Sequence, residues 1–92
     1  MVQAGVTLKV MPESVETDRT VLKGLIREKI VEVYGEVGEI RESEEPLAFG
    51  LVALKFIFII DETQGTDAIE EKVAELEGVG SASVIDFRRA LG

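Results

Sequence analysis

The chain has no cysteine, no histidine and no tryptophan, and each absence removes a class of chemistry. Without cysteine there are no disulfides, no thiolate metal site and no thiol nucleophile. Without histidine the commonest general base and metal ligand at neutral pH is gone. The serines, Ser14, Ser43, Ser81 and Ser83, therefore lack an imidazole partner, and no Ser-x-x-Lys pair or Walker-type glycine loop occurs. No catalytic residue, cofactor site or metal site is expected. Basic charge is also scarce: 10 Lys and Arg stand against 18 Asp and Glu, a net charge of −8. That balance argues against a nucleic-acid binder, whose footprint is basic, and suits a basic or mixed-charge protein partner. Long apolar runs are missing as well. The longest, near Phe56–Ile60, falls far short of the ~20 residues that span a bilayer. The start, "MVQAGVTLKVMPES", lacks a charged segment followed by an apolar one, so neither a signal peptide nor a membrane association is expected. A cytosolic (cytoplasmic) protein is the expectation.

What remains is an ordinary globular composition, 46% apolar over 92 residues, enough for one domain spanning residues 1–92 with a modest core. Val6, Leu8 and Val10 alternate with Thr7, Lys9 and Met11, which predicts a half-buried strand ended by Pro12. Val21, Leu22, Leu25, Ile26, Ile30 and Val33 recur at helical spacing, with Thr17 or Asp18 as N-cap and Gly35 as a left-handed stop. "GEIRESEEPLAFG" is a weak, charged segment that fits an edge strand. "LVALKFIFIID" is apolar on both faces and fits a central strand. A second helix follows, with Thr66 as its cap and Ile69, Val73 and Leu76 as its stripe, and "GSASVIDFRRALG" closes the chain as a strand. The order βαββαβ predicts an α+β fold of the ferredoxin-like split-βαβ kind. Two helices should cover one face of a four-stranded antiparallel sheet, with the first and third strands in the middle.

Several constellations invite a function and mostly have a plainer reading. "GEVG" at Gly35–Gly38 imitates a nucleic-acid-binding GxxG but carries acids where phosphates would sit, and fits a helix stop. The carboxylates Glu36, Glu39, Glu42, Glu44 and Glu45, and Asp61, Glu62 and Asp67, lack the spacing of a calcium loop and fit solvated surface. Arg19, Lys23 and Arg27, at i, i+4 and i+8, form a basic ridge on the first helix. The favoured expectation is a solvated face partly neutralised by Glu16 and Glu28. Leu51, Ala53, Ile57 and Ile59 share the sheet face that no helix covers, a candidate interface or dimer contact. Arg88 and Arg89 point to opposite faces of the last strand, so one can anchor locally while the other meets a partner.

The segment "EEPLAFGLVAL", Glu44–Leu54, holds Phe49 against Gly50, just after Pro46, where a chain turns between strands. Phe49 is either tucked into the core or presented to a partner. Together with "VMPES" (Val10–Ser14) and the ending "GVGSASVIDFRRALG", this segment makes the chain resemble the archaeal translation elongation factor 1-beta family over essentially its whole length. The resemblance is to the exchange domain alone, without the N-terminal extension and acidic linker of eukaryotic forms. It implies a guanine nucleotide exchange factor that binds the GDP form of the GTPase elongation factor 1-alpha. Such a factor disturbs the GTPase's magnesium and phosphate site and lets GDP leave so that GTP can load. It implies Phe49 at a contact with the GTPase, Gly50 allowing close approach, and Pro46 setting the direction of the chain. Eukaryotic relatives carry a next-to-last lysine that reaches toward the partner's magnesium. Here that place holds Leu91, before Gly92, and the nearest cations, Arg88 and Arg89, are the candidates for a related electrostatic role.

Two other classes share the element order. A small-molecule-binding regulatory module of ACT type would hold its ligand at a dimer interface. An RNA-binding module would need aromatics on the open face of strands one and three, where the first strand offers Thr7, Lys9 and Met11.

Overall fold

Alternating and helical periodicities place the elements, and their lengths follow from where proline, glycine and charge interrupt them. The computed structural model describes residues 3–90. In chain order these form β1 (Gln3–Pro12), α1 (Arg19–Tyr34), β2 (Arg41–Pro46), β3 (Val52–Asp61), α2 (Asp67–Ala74) and β4 (Val79–Ala90). The four strands make one antiparallel sheet in the order β2-β3-β1-β4. The expected ferredoxin-like α+β architecture is therefore what the chain adopts, with β1 and β3 central.

The core lies between the sheet and the two helices. Val6, Leu8 and Val10 from β1 and Leu54, Phe56, Phe58 and Ile60 from β3 meet Leu22, Ile26 and Ile30 of α1 and Ile69 and Val73 of α2, all buried. Each large apolar side chain buried this way contributes roughly 1.5–3 kcal/mol. Tyr34 closes one end of the core. Its ring lies 5.7 Å from that of Phe58, and its hydroxyl donates to Gly65 O at 2.7 Å. The stripe of α1 is narrower than its sequence suggests. Leu22, Ile26 and Ile30 are buried, Leu25 and Val33 lie at the margin, and Val21 faces out.

The helix ends show where local chemistry decides and where it does not. Asp18 caps α1, its Oδ1 accepting from Thr20 N at 3.0 Å and Val21 N at 3.2 Å. Gly35 ends it with φ 78° and ψ −157°, and its N–H donates to Val31 O at 2.7 Å. Thr66 occupies the N-cap position of α2 but its side chain makes no capping bond, contrary to the sequence expectation. Its backbone is already near helical, at φ −108° and ψ −8°, instead of the extended shape that aims a cap hydroxyl at the first free amides. In that first turn Glu70 reaches across instead, accepting from Val84 N of β4 at 2.6 Å. Strand β4 carries a bulge there: Thr7 pairs with Asp86 and Leu8 with Val84, so Ile85 is the extra residue.

Candidate functional site

Strands β2 and β3 are joined by a five-residue connection, residues 47–51. Pro46 is the last residue of β2 and pairs with Val52. Its missing N–H costs little on an edge strand. Leu47 N donates to Leu51 O at 2.7 Å, and Leu51 N to Ala48 O at 3.3 Å. The two central residues, Phe49 and Gly50, have φ of 62° and 78°. Positive φ at both centres matches the right-handed twist of a hairpin, and asparagine and glycine usually fill such positions. Gly50 adopts this conformation without penalty. Phe49 does not, since a left-handed backbone costs an L-residue with a Cβ about 1–2 kcal/mol. Nor does its ring recover that cost by burial, because Phe49 is 95% exposed.

The connection from β1 to α1 packs against this turn. A methyl group in place of the Gly50 α-hydrogen would stand 3.6 Å from Val15 Cγ1. The Phe49 turn and the Val15 loop therefore share one end of the molecule.

Strand β2 is fastened to α1 by charge. Lys23 Nζ lies 2.8 Å and Arg19 Nε 3.4 Å from Glu44 Oε2, and Arg27 pairs with Glu42. The basic ridge is thus neutralised by β2, which corrects the expectation that Glu16 and Glu28 do so. The spacing explains why. Alternate residues on a strand stand roughly 6.8 Å apart, and residues four apart on a helix roughly 6.0 Å, so Glu42 and Glu44 match Arg27 and Lys23. Both acids lie on the helix side, opposite Phe56 and Leu54. The Arg27 guanidinium holds the Glu42 carboxyl below the usual carboxylate range, and the Lys23 ammonium does the same for Glu44. On the open face Glu45 sits between two lysines, 3.3 Å from each of Lys9 and Lys55, and chiefly Lys55 lowers its pKa. That polar band lies beside Ala53, which is buried, so the exposed apolar patch expected on this face narrows to Ile57 and Ile59.

The arginines lie elsewhere. Arg88 pairs with Gly5 and Arg89 with Ala4, beside Ile59 and Ile60 of β3. Val52 and Ile59 are separated by seven strand steps, roughly 24 Å, in a molecule 42 Å long. The site residues proposed from sequence therefore form two groups. Pro46, Phe49 and Gly50 stand at one end, with Arg88 and Arg89 toward the other. The arginines also differ from each other. Arg89 Nε lies 2.6 Å from Glu62 Oε2, whereas Arg88 reaches, among the described residues, only Asp86 of its own strand, at 3.1 Å, and stays the more exposed. Leu91 and Gly92 lie outside the described residues. Among the described residues no helix is long and apolar enough to cross a membrane.

Residues 5–90 match the family described as the EF-1 guanine nucleotide exchange domain. The chain belongs to that family. Its curated relatives include the elongation factor 1-beta proteins of Methanothermobacter thermautotrophicus and Methanobrevibacter smithii, 44% and 43% identical, each match covering 92% of this chain and 93% of the relative. The elongation factor 1-beta of Methanoculleus marisnigri is 37% identical over 94% of this chain and 95% of its own. In this exchange domain the Phe49 turn, the charge clasp and Arg88 all fall inside the matched span. Sequence reasoning had no signal for Val15. The clasp did have one, in the matched periods of helix cations and strand acids.

Proposed function

We propose that the chain promotes GDP release and GTP loading on elongation factor 1-alpha by non-covalent means. The observation that carries this reading is Phe49: an aromatic side chain 95% exposed, on a left-handed backbone at φ 62°, within the matched exchange domain. Strain of this kind persists where a function uses it, and an exposed aromatic is a ready interface anchor. The chemistry belongs to the partner, whose magnesium and phosphate site is an electrostatic clamp. This chain supplies binding energy. The Phe49 end grips the GTPase, with Gly50 permitting close approach and Pro46 directing the turn. Arg88, toward the far end, adds positive charge that competes for the phosphate and magnesium environment, and Arg89 supports it from its pair with Glu62. The two groups stand far apart along β3, so the protein lies lengthwise on its partner. Linkage then requires that factor and nucleotide weaken each other's binding by the same factor. The role requires no hydrolytic or transfer step by this chain. A small-molecule module of ACT type is not favoured, given the family match.

The test is release of fluorescent GDP from the cognate elongation factor 1-alpha. Sub-stoichiometric amounts of this chain should accelerate release through many turnovers without hydrolysing GTP. An off-rate unchanged by a large excess of folded protein would falsify the reading.

A further inference from the structure

Next to Phe49 stands a second exposed apolar side chain whose position is set in advance. The loop from Glu13 to Asp18 is held by hydrogen bonds within it and by one to the connection between α2 and β4. Glu13 N donates to Gly78 O at 2.8 Å and Thr17 N to Ser14 O at 3.3 Å. Ser14 N donates to Thr17 Oγ1 and Glu16 N to Ser14 Oγ, each at 3.2 Å. Val15 is left at the crest of this turn, 54% exposed, with its Cγ1 against Gly50. Two apolar side chains from two different connections thus project at one end, each on a backbone already ordered. Interface anchors of this kind lose little conformational freedom on binding.

Charge narrows what can receive them. Glu13 and Glu16 flank Val15 and are exposed, and neither is ion-paired among the described residues. In neighbouring β2, by contrast, Glu42, Glu44 and Glu45 are all held by cations of the chain. The uncompensated charge beside the apolar tip is therefore negative. We infer that Val15 is a second anchor beside Phe49, and that the surface receiving both is an apolar hollow rimmed by lysine or arginine. This rests on the exchange reading above, with the GTPase as the partner. Apolar anchors ringed by complementary charge are the arrangement that gives both a slow off-rate and a steered on-rate.

The experiment measures binding of the full chain to nucleotide-free elongation factor 1-alpha, together with GDP release, for four variants. Val15→Ser should weaken binding roughly tenfold, the loss expected for one buried valine. Val15→Met should restore most of it, and both should melt close to the wild type because the side chain is half exposed. Glu13→Lys with Glu16→Lys, both on the surface, should slow association and reverse its salt dependence while leaving dissociation nearly unchanged. Phe49→Ala serves as the control for the exchange reading. If the wild type neither binds nor accelerates release, that reading and this inference fall together. If Phe49→Ala weakens binding while Val15→Ser stays within twofold of wild type, the second anchor alone is wrong. An on-rate indifferent to the two charge reversals overturns the basic rim.

Discussion

The two ends of the sheet carry functional candidates of opposite character. At the Phe49 end an aromatic ring and a valine face solvent, the hairpin backbone is strained, and the local acids Glu13 and Glu16 have no ion pair among the described residues. At the other end Arg88 and Arg89 each already have a carboxylate, Asp86 and Glu62, on the stretch of β4 beyond its bulge, which pairs without interruption from Asp86 to Ala90. The first end holds features that cost free energy in the isolated fold and return nothing to it. The second holds features that an isolated fold explains as edge protection. Features of the first kind single out an interface more sharply than charge does.

The largest effect expected separates two phenylalanines a few residues apart. Phe56→Ala, in the core, should cost about 3–5 kcal/mol of stability and abolish the cooperative melt of so small a domain. Phe49→Ala should leave the melting temperature unchanged or higher, yet weaken GTPase binding by roughly 30-fold, the scale of an interface anchor at about 2 kcal/mol. A collapsed melt for Phe49→Ala would return that ring to a structural role. Next in size is the strain itself. Phe49→Asn places a residue that tolerates the left-handed region in the turn, and should raise stability by about 1 kcal/mol. For a domain of this length that is roughly 4–8 °C in melting temperature. Exchange should be lost in the same variant, so a stabler but inactive protein is the signature to look for.

At the far end the comparison is sharpened by single substitutions. Arg88→Ala should slow exchange by roughly two- to fivefold through the on-rate. Arg89→Ala should have less effect on exchange, because its guanidinium is engaged with Glu62. Equal effects would mean that the Arg89 pair opens on binding. The smallest effect belongs to the clasp. The carboxyls of Glu42 and Glu44 titrate below their ordinary range in the folded chain. Their contribution to stability is therefore present above about pH 4.3, the unfolded glutamate value, and is lost as pH falls through the lower folded values. Glu44 is exposed and Glu42 still partly reached by water, so solvent screening keeps the effect small. Acid titration of the melting temperature should show a shallower fall below about pH 4 for Glu44→Gln than for the wild type. An unchanged profile would assign the acid sensitivity to other carboxylates.

Much of the protein was legible before any coordinates. The alternation of Val6, Leu8 and Val10 placed β1. The helical repeat of Leu22, Ile26 and Ile30 placed α1. The doubly apolar run of β3 placed it at the sheet centre. These signals are local: side-chain direction on a strand or helix is set by the backbone period, and burial follows polarity. The Ala-Phe-Gly turn and its proline marked a hairpin for the same reason. Only the tertiary structure decided where Phe49 points, because core and solvent were both open to a residue at a strand end until the positive φ values turned it outward. Only packing between elements chose Glu42 and Glu44 over Glu16 and Glu28 as partners of the basic ridge, since ion pairs form between whatever the fold brings within reach. Val15 became a neighbour of Phe49 across more than thirty residues of chain. The gap between Phe49 and the arginines likewise appeared only when the strand register was known. Local periodicity determines the elements and their buried faces, and the docking of those elements determines which exposed groups stand together.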